Sequence, residues 1–316
     1  MIAVIALNPA LDITHHVDAV DWAGVNRPAA VRARPGGKGL NVARTLHALG
    51  ADVLLVGLAG GAAGESVRSG LDAAGVPAAF TATAAETRRT FTVVDRRSGE
   101  VALFNEPGPP VTEAEFGQLR ARYAEALAGC DAVVLSGSLP GGLPADTYAG
   151  LIRMAAEEGV PAVLDTSGAA LLAGLAAGPA VVKPNLAELQ AAVGRPLTWD
   201  SARSAGSVLG AAAELLTRGP QTVVVSLGPA GLLAMAGGGA WLAAPRPVPG
   251  NPTGAGDAAV AGLALGLTCG RELPELLRQA AALGAAAAAA PAAGEFSPAD
   301  YVRALGHVAV TELGYP

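Results

Sequence analysis

The sequence predicts an α/β fold, in which a mostly parallel β-sheet is covered by helices on both faces. Short apolar segments alternate with segments of helical spacing along most of the chain, and this alternation is typical of parallel sheets. Hydrophobic residues make up 51% of the chain and charged residues 15%, so a large core can be buried. The length of 316 residues fits one large unit with a small appendage.

The elements of this fold are placed by the periodicity of the apolar residues. Buried strands are predicted at residues 2–7, 53–58, 132–135, 162–164, 181–182 and 223–226. Helices are predicted at residues 38–49, 65–74, 113–128, 146–158 and 201–216. The alanine-rich stretch 280–293 is predicted as a buried helix, because Gly284 and Pro291 interrupt an apolar run that is too short to span a bilayer.

Two stretches do not follow the strand–helix alternation. Residues 12–34 and 88–105 have the alternating pattern of strands, with a turn at Ser98-Gly99, and are predicted to form a small β layer. We expect residues 1–316 to form a single domain in which this layer is a lid over one edge of the main sheet.

Polar residues follow the predicted strands at the point where each strand ends. In an open parallel sheet, ligands bind beyond the carboxyl ends of the strands, so one site at one edge of the sheet is predicted. The residues concerned are Asn8, Asp12, residues 136–138, Asp165, Asn185, Glu188 and residues 226–228.

Composition argues against several classes of function. The formal net charge is −6 and aromatic residues make up only 4% of the chain, whereas nucleic-acid-binding proteins usually carry a basic surplus. Cys130 and Cys269 lie in unrelated contexts and His15-His16 lack ligand partners nearby, so neither a disulfide framework nor a metal cluster is expected. The first residues show neither a cationic region nor a cleavage pattern. We therefore expect a cytoplasmic enzyme that acts on small molecules, with no nucleic-acid or membrane partner.

The segment "NPTGAGDAAV" at residues 251–260 places Asp257 directly after a glycine turn and before an alanine-rich helix. Asp257 either caps this helix or is a catalytic carboxylate, since helix N-termini favour Asp and also bind phosphates. The segment also fits the loose dinucleotide pattern G-x-G-x-x-A. We reject that interpretation, because a proline-rich loop replaces the required strand and no acidic strand end follows about twenty residues later.

A second glycine turn, "PGGKGLNVARTLHALG" at residues 35–50, leads into a predicted amphipathic helix. It is not a Walker A loop, which has four residues between its first Gly and a Gly-Lys pair followed by Ser or Thr. Lys38 lies among three glycines, where the backbone can approach a ligand closely, and Asn41 adds a polar side chain on the first turn. These two residues favour a binding loop over a simple turn.

The segment "VVKPNLAEL" at residues 181–189 holds Asn185 and Glu188 three residues apart, on one face of a predicted helix. Taken alone, this spacing favours a capping box, with Asn at the cap and Glu at the third position. A ligand site formed by the same two side chains is the alternative.

Nine segments, taken together and in order, resemble the motifs of the ribokinase-like sugar kinases, the PfkB family. They are "LNPALD", "GGKGLNVA", "TRRT", "NEPGP", "SGSLPGGLP", "DTSG", "KPNLAEL", "VSLGPAGLL" and "NPTGAGD". The resemblance covers nearly the whole chain and implies a three-layer αβα sandwich with a β-sheet lid. It is strongest to the branch of 1-phosphofructokinases and tagatose-6-phosphate kinases, and "AGVNR" at residues 23–27 favours the former.

The resemblance implies that the chain transfers a phosphoryl group from ATP with the help of Mg²⁺. Asp257 corresponds to the base that takes the proton of a sugar hydroxyl, and the amides of Gly254, Ala255 and Gly256 correspond to an anion hole. Asn185 and Glu188 correspond to a motif that orders Mg²⁺, largely through water. The residues implied to contact the nucleotide are Lys183, Asn185, Ser226, Gly228 and Gly231.

The same resemblance implies a phosphorylated ketohexose as the acceptor, with fructose 1-phosphate converted to fructose 1,6-bisphosphate. Arg27 and Arg88 would hold the phosphate of the sugar, since guanidinium groups donate two parallel hydrogen bonds to phosphate oxygens. Arg89 and Arg96 are expected to be solvated. The residues implied to contact the rest of the sugar are Asp12, Gly37, Lys38, Asn41 and Ser138.

Two departures from the family pattern leave the exact sugar open. Thr90 stands where related enzymes often carry Asn, and "NPT" at residues 251–253 replaces a triplet that usually ends in Val. Tagatose 6-phosphate and fructose 6-phosphate therefore remain alternative substrates, and a nucleoside or unphosphorylated sugar is a more distant one. A sensor without catalysis is disfavoured by the intact Asp257. The resemblance allows a homodimer formed through the lid, and the sequence leaves the oligomeric state open.

Overall fold

Two β-sheets with packed helices form the part of the chain that the computed structural model describes, which is residues 1–200, 205–290 and 295–314. The strands are β1 (Ile2–Ala6), β2 (Ala10–Val17), β3 (Ala30–Gly36), β4 (Val53–Ala59), β5 (Ala78–Ala82), β6 (Arg88–Asp95), β7 (Val101–Asn105), β8 (Ala132–Ser136), β9 (Ala162–Asp165), β10 (Val181–Val182), β11 (Thr222–Ser226), β12 (Leu232–Ala236), β13 (Gly239–Ala244) and β14 (Ala309–Leu313). The helices are α1 (Lys38–Ala48), α2 (Gly61–Ala73), α3 (Glu113–Leu127), α4 (Thr147–Glu157), α5 (Gly168–Leu175), α6 (Leu186–Val193), α7 (Gly206–Leu216), α8 (Ala255–Thr268), α9 (Leu273–Ala289) and α10 (Pro298–Leu305).

The larger sheet has ten strands in the order β14-β13-β12-β11-β10-β9-β8-β1-β4-β5. From β11 to β5 every neighbouring pair is parallel. The pairs from β11 to β14 are antiparallel. The prediction of a mostly parallel sheet is therefore confirmed, with an antiparallel extension at one edge.

Helices cover both faces of this sheet, because alternate residues of each strand point into different cores. Ile5 of β1 packs in a core with Leu119 of α3. Val4, its neighbour, packs on the opposite face in a core with Leu40 of α1 and Leu263 of α8. All five residues of β1 are buried, as expected for a central strand in a three-layer αβα arrangement.

The smaller sheet has four strands in the order β3-β2-β6-β7. These strands lie within or beside the predicted stretches 12–34 and 88–105, while residues 18–29 between β2 and β3 form a loop. Asp12, Thr90 and Asn105 are direct neighbours across β2, β6 and β7, and they line the cleft between the two sheets. One face of the smaller sheet is therefore turned towards the ends of the parallel strands.

The edges of the larger sheet and the first turns of some helices differ from the predictions. Strands β5 and β12–β14 were not predicted, although the turn at Gly237-Gly238, with φ of 53° and 90°, is typical of the β12–β13 hairpin. Helix α2 begins four residues and α9 seven residues before the predicted positions. The predicted helical residues 201–204 and 291–293 lie outside the described residues. Among the described helices, none is long and apolar enough to cross a membrane.

Close packing of α8 on α9 generates a prediction about stability. A methyl group at Gly262 would lie 2.7 Å from Cα of Ala280, so Gly262→Ala should push the two helices apart and cost about 1–3 kcal/mol. Gly210 in α7 has no described atom within 4 Å of the same position, so Gly210→Ala should stabilise by about 0.5–1 kcal/mol. Thermal denaturation measures both changes. An equal gain in both variants would contradict the close approach.

Candidate active site

A large cleft lies between the carboxyl ends of the parallel strands and the inner face of the smaller sheet. Ser136, Asp165 and Ser226, the last residues of β8, β9 and β11, line one wall. Asp12 and Thr90 line the opposite wall from β2 and β6. The first turn of α8 also faces this cleft. The predicted gathering of polar residues at one edge is confirmed.

Asp257 lies on the first turn of α8, which begins where the chain turns at Gly254. Gly254 is the N-cap and has φ 86°, a left-handed conformation that favours glycine. The helix has no side-chain cap, so the cap interpretation of Asp257 is wrong. Its carboxylate is buried and accepts a hydrogen bond of 2.8 Å from Nδ2 of Asn41, across the contact between α8 and α1.

The environment of Asp257 changes its proton affinity. Burial, followed by the negative charge of Asp165, raises the pKa of Asp257 to about 7. The hydrogen bond from Asn41 and the positive charges of Lys38 and Lys183 act in the opposite direction. A carboxylate with this pKa can accept and release a proton near neutral pH.

Asp165 is buried and is the centre of an ionic network in which Lys183 is also buried and Lys38 is partly exposed. Its Oδ1 lies 3.3 Å from Nζ of Lys38 and 3.3 Å from Nζ of Lys183, and its Oδ2 accepts a hydrogen bond of 3.3 Å from Oγ of Ser136. Burial alone would raise the pKa of Asp165, but the two ammonium groups outweigh it and hold this pKa below its usual range. Burial alone would lower the pKa of Lys38, but the charges of Asp165 and Glu188 raise it above its usual range. Asp165 and Lys38 therefore stay charged at neutral pH.

The ammonium group of Lys183 lies beside the glycine turn. A methyl group at Gly256 would be 3.7 Å from Nζ of Lys183, which is only 3% exposed. Gly256 is the second residue of α8, where backbone N–H groups have no partner within the helix. A positive charge and the N–H donor of Gly256 thus meet at one point of the cleft, which suits an anion such as phosphate. The N–H of Ala255, which was also predicted to bind an anion, donates to the carbonyl oxygen of Pro252 at 3.1 Å.

Asn185 and Glu188 form the predicted capping box of α6, with both reciprocal hydrogen bonds at 2.8 Å. Oε2 of Glu188 makes the capping bond, while Oε1 faces the cleft 3.6 Å from Nζ of Lys38. No group of three or more His, Cys, Asp and Glu side chains among the described residues is arranged to hold a metal ion. Oε1 of Glu188 takes no part in the capping box. A single carboxylate oxygen suits a Mg²⁺ ion that keeps most of its waters, and does not suit an ion held by several side chains.

The opposite end of the cleft is built around Asp12. Its Oδ1 accepts a hydrogen bond of 2.6 Å from Oγ1 of Thr90, and its carboxylate packs against the Cα of Gly36, where a methyl group would collide. The next residue, Gly37, is the N-cap of α1 and has φ 94°. Asp12, Gly37, Lys38, Asn41 and Ser138 all line the cleft, so the structure brings these five predicted residues together.

Arg88 reaches the same end of the cleft from the first position of β6. Its Nε donates to the carbonyl oxygen of Asn8 and its Nη1 to that of Glu106, each at 3.1 Å. Nδ2 of Asn8 in turn donates to Oγ of Ser138 at 3.0 Å. Arg88 therefore joins three segments around the cleft while it remains among the lining residues.

The other predicted arginines lie elsewhere. Arg27 is exposed in the loop 18–29 and is not among the residues that line the cleft, so the structure does not bring it to the predicted sugar site. Arg89 forms an ion pair of 2.6 Å with Glu86, and Arg96 forms one of 3.3 Å with Asp18. The last two arginines are on the surface, as expected.

Three further predicted residues lie on the wall formed by β11 and the turn after it. Ser226 forms a β-bridge with Asn185, while Gly228 begins the short 3₁₀ turn Gly228–Ala230 and Gly231 follows it. All of them line the cleft. Apolar residues line the same cleft, among them Leu232, Pro245, Val248, Ala281 and Ala285.

Sequence reasoning gave no role to Asp165 or Thr90, although the structure places both at the centre of polar contacts. The sequence shows Asp165 as a polar residue after a strand, but its two lysine partners come from positions 38 and 183 and no local spacing relates them. Thr90 was noticed only as a departure from a family pattern. Its pairing with Asp12 follows from the register of β2 with β6.

Comparison with known proteins agrees with this architecture. The model of the pfkB family of carbohydrate kinases matches residues 6–300. A 1-phosphofructokinase of Rhodobacter capsulatus is 40% identical over 283 residues, which cover 89% of this chain and 88% of that protein. Phosphofructokinase-2 of Escherichia coli has similar structures. Its tetrameric inhibited form has a TM-score of 0.88 at 35% identity, with 96% of this chain and 98% of that chain covered. Its complex with fructose 6-phosphate has a TM-score of 0.86 at 34% identity over the same shares.

The family model spans most of the chain, and the Rhodobacter protein is similar over nearly the full length of both proteins. The α/β architecture with a smaller second sheet is likewise that of the solved phosphofructokinase-2. The chain therefore belongs to the PfkB family of carbohydrate kinases, phosphotransferases whose acceptor is an alcohol group.

Proposed function

We propose that this protein transfers the γ-phosphoryl group of ATP to a hydroxyl of a phosphorylated ketohexose, with fructose 1-phosphate as the favoured acceptor and fructose 1,6-bisphosphate as the product. The observation that carries the proposal is the buried carboxylate of Asp257, with a pKa of about 7, on the first turn of α8, where Gly256 lies beside the ammonium group of Lys183. A proton acceptor and an anion site thus lie side by side.

In the proposed reaction Asp257 accepts the proton of the sugar hydroxyl. The freed oxygen attacks the γ-phosphorus, the bond between that phosphorus and the bridging oxygen breaks, and its electron pair leaves with ADP. The N–H groups of Gly254 and Gly256 stabilise the negative charge on the transferred group, as donors at helix N-termini do, and that of Ala255 joins them once it leaves the carbonyl oxygen of Pro252. Lys183 adds a positive charge at the same point. Asp257 returns its proton to solvent after the product leaves.

ATP is proposed to bind along the wall that contains Lys183, Asn185, Ser226, Gly228 and Gly231. Apolar residues of the cleft lining, among them Val248 and Ala285, would suit the flat face of an adenine ring. Asn185 and Glu188 would hold Mg²⁺ through its waters, and the ion would neutralise charge on the nucleotide phosphates.

The sugar is proposed to bind at the end of the cleft near Asp12, where Asp12, Gly37, Lys38, Asn41 and Ser138 offer polar contacts. Arg88 would hold the phosphate of the sugar, since its Nε and Nη1 are committed to carbonyl oxygens and its remaining terminal nitrogen is available. The identity of 40% to a 1-phosphofructokinase favours fructose 1-phosphate. Fructose 6-phosphate is the second candidate, because a similar structure at 34% identity is a complex with that sugar.

The smaller sheet is proposed to act as the lid of a single kinase domain and to take part in self-association. Val101 and Leu103 of β7 are 55% and 57% exposed, and apolar side chains as exposed as these support burial against a second copy of the chain. Arg27 would contact the sugar phosphate only across such a dimer or after movement of the loop 18–29. Cys130 and Cys269 are free thiols, which supports a location in the cytoplasm.

Asp257→Asn should lower kcat by about 10²- to 10⁴-fold, the usual contribution of a positioned general base. In the wild type, kcat/KM should rise with pH through about 7, because Asp257 must lose its proton before it can act. Steady-state kinetics from pH 5 to pH 9 measure both quantities. Turnover of the variant within a few-fold of the wild type would contradict the assignment.

Thermal denaturation of the same variant provides the folding control. The folded-state pKa of Asp257 lies above that of an unfolded Asp, about 3.9, so its contribution to stability is lost as the pH rises from about 4 through about 7. The variant should therefore gain stability relative to the wild type across this window and differ least below it.

Glu188→Gln should raise the Mg²⁺ concentration needed for half-maximal rate, because the charged oxygen that faces the cleft is lost. Gln also completes capping boxes, so the thermal midpoint should change little. The matched control is Glu115→Gln, which makes the same replacement in the capping box of α3, outside the cleft. An unchanged Mg²⁺ dependence in Glu188→Gln would leave this residue with a capping role alone.

Arg88→Ala should reduce kcat/KM for the preferred sugar phosphate by roughly ten- to a hundredfold, since a hydrogen bond to a charged group contributes about 1.5–3 kcal/mol. The assay panel also tests the substrate proposal: fructose 1-phosphate, fructose 6-phosphate, tagatose 6-phosphate, free fructose and a nucleoside. We expect the wild type to have its highest kcat/KM with fructose 1-phosphate.

Arg89→Ala is the control for this measurement, because Arg89 is the neighbouring arginine and pairs with Glu86 on the surface. An equal loss with free fructose and with the sugar phosphate would mean that Arg88 only supports the loops around Asn8 and Glu106. A wild-type preference for an unphosphorylated sugar or a nucleoside would overturn the proposed substrate class.

A further inference from the structure

Asn41 joins the first turn of α1 to the first turn of α8. It is 7% exposed, as is Asp257, and its Nδ2 lies 2.8 Å from Oδ2 of Asp257. Among the described residues, Asn41 is the one whose side chain forms a hydrogen bond with the Asp257 carboxylate. It engages Oδ2 and leaves Oδ1 for the cleft, which Asp257 lines.

We propose that Asn41 is a positioning residue for Asp257, whose carboxylate it fixes so that Oδ1 faces the hydroxyl of the acceptor. This role rests on the proposed function and goes beyond a contact between Asn41 and the sugar. A carboxylate can rotate about its last side-chain bond, and a single bond to Oδ2 removes that freedom. Oriented bases react faster because the reacting atoms are held in the required geometry.

The charged groups around Asp257 explain why a neutral donor is needed there. Asp165 faces it from β9, Lys38 from α1 and Lys183 from the segment after β10. Both ammonium groups are bonded to Asp165 at 3.3 Å, so their direct contacts are directed away from Asp257. A third cation bonded to Asp257 would weaken it as a base, whereas an amide holds it without adding a charge.

The other end of the Asn41 amide supports a functional role for this residue. Its Oδ1 is buried and has no hydrogen-bond partner among the described residues. An unpaired buried acceptor destabilises a fold, and a residue chosen for packing alone would not require an amide here. Asn41 lines the cleft, so this oxygen can accept a hydrogen bond from a hydroxyl of the bound sugar while Nδ2 continues to hold Asp257.

The decisive variant is Asn41→Leu, which has a similar size and cannot donate a hydrogen bond. If Asn41 positions Asp257, kcat should fall about tenfold and the acid limb of the pH profile of kcat should move up by roughly one unit, because the bond favours the charged carboxylate. KM for the sugar phosphate should change less than kcat. The matched control is Thr45→Val, since Thr45 is buried one turn further along α1. It should leave the pH profile unchanged.

Two outcomes would overturn the proposal. An increase in KM for the sugar with an unmoved acid limb would mean that Asn41 only binds the sugar. An unchanged kcat and pH profile would mean that the hydrogen bond has no effect on catalysis. If Asn41→Leu does not fold, Asn41→Ala, which likewise cannot donate a hydrogen bond, is measured in its place. A pH profile of kcat with the acid limb of the wild type would overturn the proposal in the same way.

A readout without substrate separates this inference from the proposed function. The pH window in which the wild type loses stability depends on the folded-state pKa of Asp257. Asn41→Leu removes a hydrogen bond that lowers this pKa, so the window should move to higher pH in thermal denaturation. In an Asp257→Asn background the same change should have no pH-dependent effect. A missing kinase activity together with a shifted window would refute the proposed function and keep the pairing. An activity that is present together with an unshifted window would refute the pairing alone.

Discussion

The ionic contact between Asp165 and the two lysines holds the cleft together. Asp165 ends a central strand, Lys38 begins α1, and Lys183 follows β10, so one buried carboxylate connects three elements. Removal of one member of a buried ion pair costs about 3–5 kcal/mol, because the remaining charge has no partner. The positions of both ammonium groups in the cleft therefore depend on this one side chain.

Two buried carboxylates in the same cleft have opposite ionisation behaviour for a clear physical reason. Asp165 is bonded to two cations and stays ionised, whereas Asp257 is bonded to a neutral amide and its pKa rises to about 7. The charge of Asp165 is itself one cause of that rise. The network that fixes the lysines thus also adjusts the proposed base, which couples the site for phosphate charge to the site for the proton.

Much of the fold could be predicted from local pattern. Apolar runs of strand length, separated by helical segments, predicted the parallel part of the larger sheet, and the alternating stretches around β2–β3 and β6–β7 predicted the smaller one. The edge strands β12–β14 were not predicted, because antiparallel strands at a sheet edge interrupt the alternation of strands and helices. The Asn185–Glu188 capping box was predicted correctly, since both bonds join residues three apart in one turn. The same spacing could not show that one oxygen of Glu188 remains turned to the cleft.

The order of residues was thus enough to predict the fold class, the edge of the sheet that carries the site and the glycine turn with Asp257, because these depend on periodicity and short-range geometry. Only the tertiary structure decided that Asn41 bonds Asp257, that Asp165 holds Lys38 and Lys183, and that Arg27 lies outside the cleft. Asn41 and Asp257 are 216 positions apart. Contacts over such distances arise when separate first turns are packed onto one sheet edge, and no pattern within either segment contains that information.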